Sequence, residues 1–160
     1  GHGPMAARAA EAAVGAFRAS SATGPAELVA EIHRALRGTR GAALAVARIE
    51  PDAGRVLLCG VGNISAMVVD AEGRSSLPSM AGIVGHQLPT LRVFERPLPA
   101  GSALVLHSDG LSERWDLSAM PGFPRHSPVL TAAQLLQNAG VRHDDASVVV
   151  AKAPVPGATW

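Results

Sequence analysis

The chain has 160 residues, 48% of them hydrophobic and 17% charged, with a formal net charge of +1. That balance fits one folded domain with a real core and excludes a disordered segment. The absence of a basic cluster, and an aromatic content of 3% with no Tyr, argue against a nucleic-acid surface. The single cysteine, Cys59, rules out an internal disulfide and points to a reducing compartment. It lies in an apolar run and reads as core filler. No apolar run approaches the ~20 residues of a membrane span, and no basic region followed by an apolar block opens the chain. The expectation is a soluble, cytoplasmic domain with neither membrane nor nucleic acid as a partner.

In chain order, the Ala-rich segment 4–20 predicts a helix, because alanine is the best helix former and Pro4 is tolerated at a helix start. A second helix is expected from Pro25, with Leu28, Val29, Ile32 and Leu36 on one apolar stripe and Gly38 ending it. After Gly41 the pattern changes to short β-type runs at 43–49, 55–60 and 64–69. Turns at 51–54 and 70–73, with a tight hairpin at Gly60-Val61-Gly62-Asn63, make these an antiparallel meander. Segment 74–90 has little periodicity. Strands are expected at 91–98 and 103–106, joined by a turn at 99–101. The Pro- and Gly-rich stretch 117–128 reads as a long loop, either functional or mobile. Thr131 is expected to cap a third helix, 132–138, that Gly140 ends. A last strand follows at 146–151, and the tail 153–160 reads as a linker or frayed end. Helices first, many antiparallel strands, and a late helix before the final strand define an α+β fold.

Two carboxylate sites stand out. Asp109 follows the apolar run 103–106 in Ser108-Asp109-Gly110, and Asp144-Asp145 precede the last strand. If the two strands are neighbours, Asp109 and Asp144 converge, and clustered carboxylates repel unless a cation neutralises them. All-oxygen ligands suit Mg²⁺ or Mn²⁺ and not zinc. The competing reading is an Asp-Gly turn and a solvated turn before a strand. His107, two residues from Asp109, would share its face on a strand, although a lone histidine there reads first as packed or hydrogen-bonded. The six histidines show no zinc-type pairing, and the chain has no Gly-Lys-Ser/Thr phosphate loop and no Gly-x-Ser-x-Gly elbow.

Six pieces in order carry a resemblance: Gly1-His2-Gly3-Pro4, Arg40-Gly41-Ala42-Ala43-Leu44, Gly60-Val61-Gly62-Asn63, Gly82-Ile83-Val84-Gly85, Ser108-Asp109-Gly110-Leu111 and Asp144-Asp145-Ala146-Ser147. On these motifs the chain resembles the PPM-type metal-dependent serine/threonine protein phosphatases, in their SpoIIE-like, RsbX-like branch. The resemblance implies an αββα sandwich of two antiparallel sheets with flanking helices, over residues 1–152, with the N-terminal strands missing. It implies a two-metal Mn²⁺ or Mg²⁺ site and hydrolysis of phosphoserine or phosphothreonine by a metal-activated water, with no catalytic residue beyond the metal ligands. Asp109 and Asp144 would be ligands of one metal. Asp145, often Asn in the family, would support them, Gly110 would permit the turn and Ser147 would brace the loop. Gly1, His2 and Gly3 would lie near the site.

The branch further implies a STAS-type anti-anti-sigma factor as the phosphorylated partner. In the family an Asp-Gly pair just before Gly-His-Gly bridges the two metals, and this sequence starts after that pair. Two expectations follow: a fragment of a longer phosphatase, with little or no turnover by itself, or a divergent domain that works by binding.

Overall fold

The computed structural model describes residues 2–120, 122–123, 126–141 and 144–153. Two α-helices come first, α1 (Pro4–Ala19) and α2 (Pro25–Ala35). Six strands follow: β1 (Leu44–Glu50), β2 (Arg55–Val61), β3 (Ser65–Val69), β4 (Arg74–Leu77), β5 (Phe94–Pro97) and β6 (Ala103–His107). A 3₁₀ turn at Leu117–Ala119, helix α3 (Pro128–Ala139) and strand β7 (Val148–Lys152) complete the described elements. The strands form two sheets, ordered β1-β2-β5 and β4-β3-β6-β7, so the α+β expectation holds. Among the described residues no helix is long and apolar enough to cross a membrane.

Contacts divide the chain into two compact units. The first comprises Gly1–Ile49, Leu57–Ile64 and Pro78–Glu95. Its helices begin as the sequence indicates, each with proline in the first turn behind a glycine. Ala9 and Ala13 of α1 and the stripe Leu28, Val29, Ile32 and Leu36 are buried with Val46, Cys59, Val61 and Val84 in one core. Cys59 is a free, fully buried thiol, the core filler expected. Gly82-Ile83-Val84-Gly85 is fastened to this unit by reciprocal bonds of 3.0 Å between Ala42 and Val84 and by the Gly85 N–H, which donates to His33 Nδ1 at 2.9 Å.

The second unit comprises Glu50–Val56, Ser65–Leu77 and Arg96–Trp160. Strand β6 lies between β3 and β7, antiparallel to both, with His107 opposite Ser65 on one side and Val148 on the other. Its core holds Met67, Val69, Val105, Leu111, Trp115, Met120, Phe123, Leu135 and Ala139. Thr131, Leu135 and Ala139, spaced four apart, form the buried stripe of α3.

Four expectations are corrected. Gly60-Val61-Gly62-Asn63 is not a tight hairpin: β2 and β3 belong to different sheets. Segment 60–62 instead bonds to Met80, which donates to Gly60 O and whose carbonyl accepts from Gly62 N. There the glycines serve close approach, since a Cβ on Gly62 would lie 2.7 Å from Ala43 Cβ. Strand 91–98 shrinks to Phe94–Pro97, and β4 forms where no strand was expected. Helix α3 starts at Pro128 behind Ser127, whose hydroxyl accepts from Leu130 N, so Thr131 is inside the helix and not its cap. Within 117–128, Met120 and Phe123 are buried, about 1% exposed, whereas Ser118, Ala119, Gly122 and Ser127 are exposed. The tail from residue 154 onward lies outside the described residues.

Candidate metal centre

Strand β6 runs to His107, and the chain then turns, with Leu111 N donating to Ser108 O at 3.1 Å. Asp109 therefore sits on the turn and is exposed, whereas His107 on the strand is 2% exposed. The expectation that the two share a strand face is corrected, because regular pairing with β7 stops at His107 and Val148. Beyond that pair a side chain takes over the ladder. Ser108 N donates to Ser147 O at 3.0 Å, and Ser147 N donates to Ser108 Oγ at 3.0 Å. The same hydroxyl donates to Asp145 O at 3.4 Å. One hydroxyl thus accepts one bond and donates another across the two loops.

Gly110 fixes how close the loops come. It does not occupy the left-handed region, so its conformation alone does not demand glycine. Space does: a Cβ at this position would lie 2.1 Å from Asp145 O and 2.9 Å from Ala146 Cα. The Gly110 carbonyl accepts from Val141 N at 2.8 Å, and Ser112 N donates to Ala139 O at 2.8 Å. The Asp109 turn is therefore held by the end of β6, by loop 144–147 and by the end of α3.

The structure brings Asp109, Asp144 and Asp145 onto two clamped, solvent-facing loops. Asp144 Oδ1 accepts from Asp145 N at 2.9 Å, which orients that carboxylate. Among the described residues no group of three or more His, Cys, Asp or Glu side chains converges. Mg²⁺ is commonly held by one or two carboxylates with the remaining positions filled by water and substrate phosphate. Asp109 and Asp144 present carboxylate oxygens, the donor type that hard divalent cations take, on two loops that Gly110 allows to approach closely.

Of the other expected residues, Gly3 precedes α1 in the first unit with φ 90°, and its carbonyl accepts from Ala6 N and Ala7 N at 3.0 and 3.1 Å. His2 is exposed, and Gly1 lies outside the described residues. One contributor escaped the sequence reading, and a second was singled out there without its partner. The hydroxyl that joins the loops belongs to Ser108, while Ser147 takes part through its backbone N–H and carbonyl. His107 adds a bond from Nδ1 to Ser108 O at 2.8 Å. The serine of Ser-Asp-Gly was the available signal for the first; the second is packed and hydrogen-bonded, as a lone histidine there was read.

Comparison with known structures places this geometry in a class. RsbX in complex with magnesium superposes with a TM-score of 0.77 at 18% identity, covering 94% of this chain and 75% of that one. The serine/threonine phosphatase PstP of Mycobacterium tuberculosis gives 0.69 at 16% identity, covering 94% and 83%. The fold is that of the PP2C-type, PPM phosphatases. A structure described as the bacterial stressosome, a modular system adapted to control secondary messenger signaling, is similar at 34% identity and a TM-score of 0.83, over 95% of this chain and 80% of that one. Residues 1–154 match the model for stage II sporulation protein E, and the chain belongs to this SpoIIE family. No curated protein sequence matches it significantly.

Proposed function

We propose that this chain carries metal ligands of a phosphoprotein phosphatase that hydrolyses phosphoserine or phosphothreonine on a regulatory protein in the cytoplasm, with a STAS-type anti-anti-sigma factor as the substrate class. The observation that carries the reading is the clamp between the Asp109 turn and loop 144–147, through Ser108 Oγ and the Cβ-free surface of Gly110. Asp109 and Asp144 would hold the Mg²⁺ or Mn²⁺. A bound divalent ion of this kind neutralises phosphate charge and lowers the pKa of a bound water. The chain's own residues supply placement. Gly110 and Ser108 set the loop separation, and the Asp145 N–H orients the Asp144 carboxylate. Ser108 Oγ is engaged with both Ser147 N and Asp145 O, which favours attack by water over a serine phosphoenzyme. The regulatory substrate rests on family membership and on the likeness to the structure described as the bacterial stressosome.

The test is Mn²⁺-dependent release of phosphate from para-nitrophenyl phosphate by the chain extended with Asp-Gly-Leu ahead of Gly1. Asp109→Asn is expected to lower that rate about a hundredfold, in the range seen when metal sites are disrupted. A metal-dependent rate unchanged by Asp109→Asn overturns the reading. Absence of turnover together with retained binding of a regulatory protein is the outcome for the other reading, a non-catalytic domain derived from this fold.

A further inference from the structure

The imidazole of His107 lies beneath the Asp109 turn, 2% exposed, at the last paired position of β6. Its Nδ1 is 2.8 Å from Ser108 O. A carbonyl has no hydrogen to give, so Nδ1 carries the proton and donates, and in the neutral ring Nε2 is then an acceptor. That Nε2 is buried and has no hydrogen-bond partner among the described residues. Residues two apart on a strand share a face, so His107 lies on the face of Val105, which belongs to the apolar core with Leu111, Trp115 and Leu135. An apolar side chain in this place would avoid burying an unpaired nitrogen, which is costly. What the imidazole adds is the single bond to Ser108 O. That carbonyl also accepts from Leu111 N at 3.1 Å, so two donors, one before Asp109 and one after it, meet on one oxygen. The peptide entering Asp109 is thereby fixed in rotation, and with it the direction in which the carboxylate leaves the backbone.

We propose that His107 is a positioning residue for Asp109, acting through the Nδ1–H bond to the Ser108 carbonyl and not by contact with a metal. The proposal rests on the reading of Asp109 as a ligand of Mg²⁺ or Mn²⁺. The side-chain amide of Asn places its N–H where Nδ1 lies, Gln places it near Nε2, and Leu places none, so the three substitutions separate the bond from the volume.

The experiment is a Mn²⁺ titration, followed calorimetrically and by the paramagnetic signal of free Mn²⁺, on the 160-residue chain, His107→Asn, His107→Gln, His107→Leu and Asp109→Asn, each checked for cooperative unfolding. His107→Leu and His107→Gln are expected to weaken Mn²⁺ binding about tenfold, as loss of groups that orient metal ligands does. His107→Asn is expected to restore affinity to within about threefold. Should the Leu variant fail to fold, the Asn and Gln variants still present the same donor group at two different places. Nitrogen-15 correlation spectra of the metal-free chain are expected to show a proton on His107 Nδ1. Equal affinity across the three His107 variants and the original chain, or an Nδ1 that carries no proton, overturns the proposal. Failure of Asp109→Asn to weaken binding overturns instead the ligand reading on which it stands, so the two failures are distinguishable.

Discussion

Gly110→Ala probes the clamp most sharply. The added methyl would sit 2.1 Å from Asp145 O, 2.7 Å from Asp145 C and 2.9 Å from Ala146 Cα, all backbone atoms with no rotamer to escape into. Even to reach 3.0 Å, the shortest separation real Cβ atoms show, the Asp145 carbonyl must retreat by about 1 Å. That movement stretches the bonds tying the loops, Ser108 N to Ser147 O and Ser147 N to Ser108 Oγ, each now 3.0 Å. Two hydrogen bonds at about 1 kcal/mol each, with an overpacking cost of about 1–2 kcal/mol, give a loss of about 3–4 kcal/mol. For a chain of this size that lowers the thermal midpoint by about 10 °C. Mn²⁺ affinity should fall with it, because Asp109 and Asp144 are carried by the two loops forced apart. The assay is thermal unfolding followed by circular dichroism, paired with a Mn²⁺ titration at a temperature where the variant is folded. A midpoint within about 2 °C of the original, with unchanged Mn²⁺ affinity, would refute the idea that close approach at Gly110 holds the site together.

Other substitutions follow the same logic. Ser108→Ala removes the hydroxyl shared by Ser147 N and Asp145 O and should cost about 1 kcal/mol of stability in urea titrations, with a larger proportional loss of Mn²⁺ affinity. Gly15→Ala has the opposite sign: Gly15 is exposed within α1 and a Cβ there meets nothing within 4 Å, so urea titration should show a gain of about 0.5–1 kcal/mol. Burial pushes the Cys59 thiol above its ordinary value of 9.0. Its contribution to stability is therefore complete below pH 9.0 and is lost as pH rises from there through the raised folded value, because the unfolded chain ionises first. Unfolding of the chain and of Cys59→Ala between pH 8 and 10.5 should show the advantage of the original shrinking with pH. A thiol reagent should reach Cys59 only on unfolding.

Much of the framework was legible because strong local signals agreed with the tertiary outcome. Proline at the start of α1 and α2, the stripe Leu28, Val29, Ile32 and Leu36, and the apolar run of β6 made these elements readable. The misses have common causes. β4 is Arg-Ser-Ser-Leu, with three exposed residues on an edge strand, so it shows no apolar pattern. Gly60-Val61-Gly62-Asn63 has the composition of a hairpin, but its glycines answer to crowding by Ser79 and Ala43, far away in sequence. The site divides the same way. Asp109 and Asp144-Asp145 stand out as carboxylates at strand ends, and their order along the chain connects them. The demand for glycine at 110, by contrast, comes from a backbone oxygen 35 residues further on, and the His107 bond to its own neighbour's carbonyl has no signature in sequence.

The central claim is that Asp109 and Asp144 share the work of holding a divalent cation while Asp145 supports the loop. Equilibrium Mn²⁺ binding by Asp109→Asn, Asp144→Asn and Asp145→Asn tests it directly. The first two variants should each bind at least about tenfold more weakly than the original chain, and Asp145→Asn should stay within about threefold. Undiminished binding by Asp109→Asn or Asp144→Asn, or a loss in Asp145→Asn as large as in either, would contradict it.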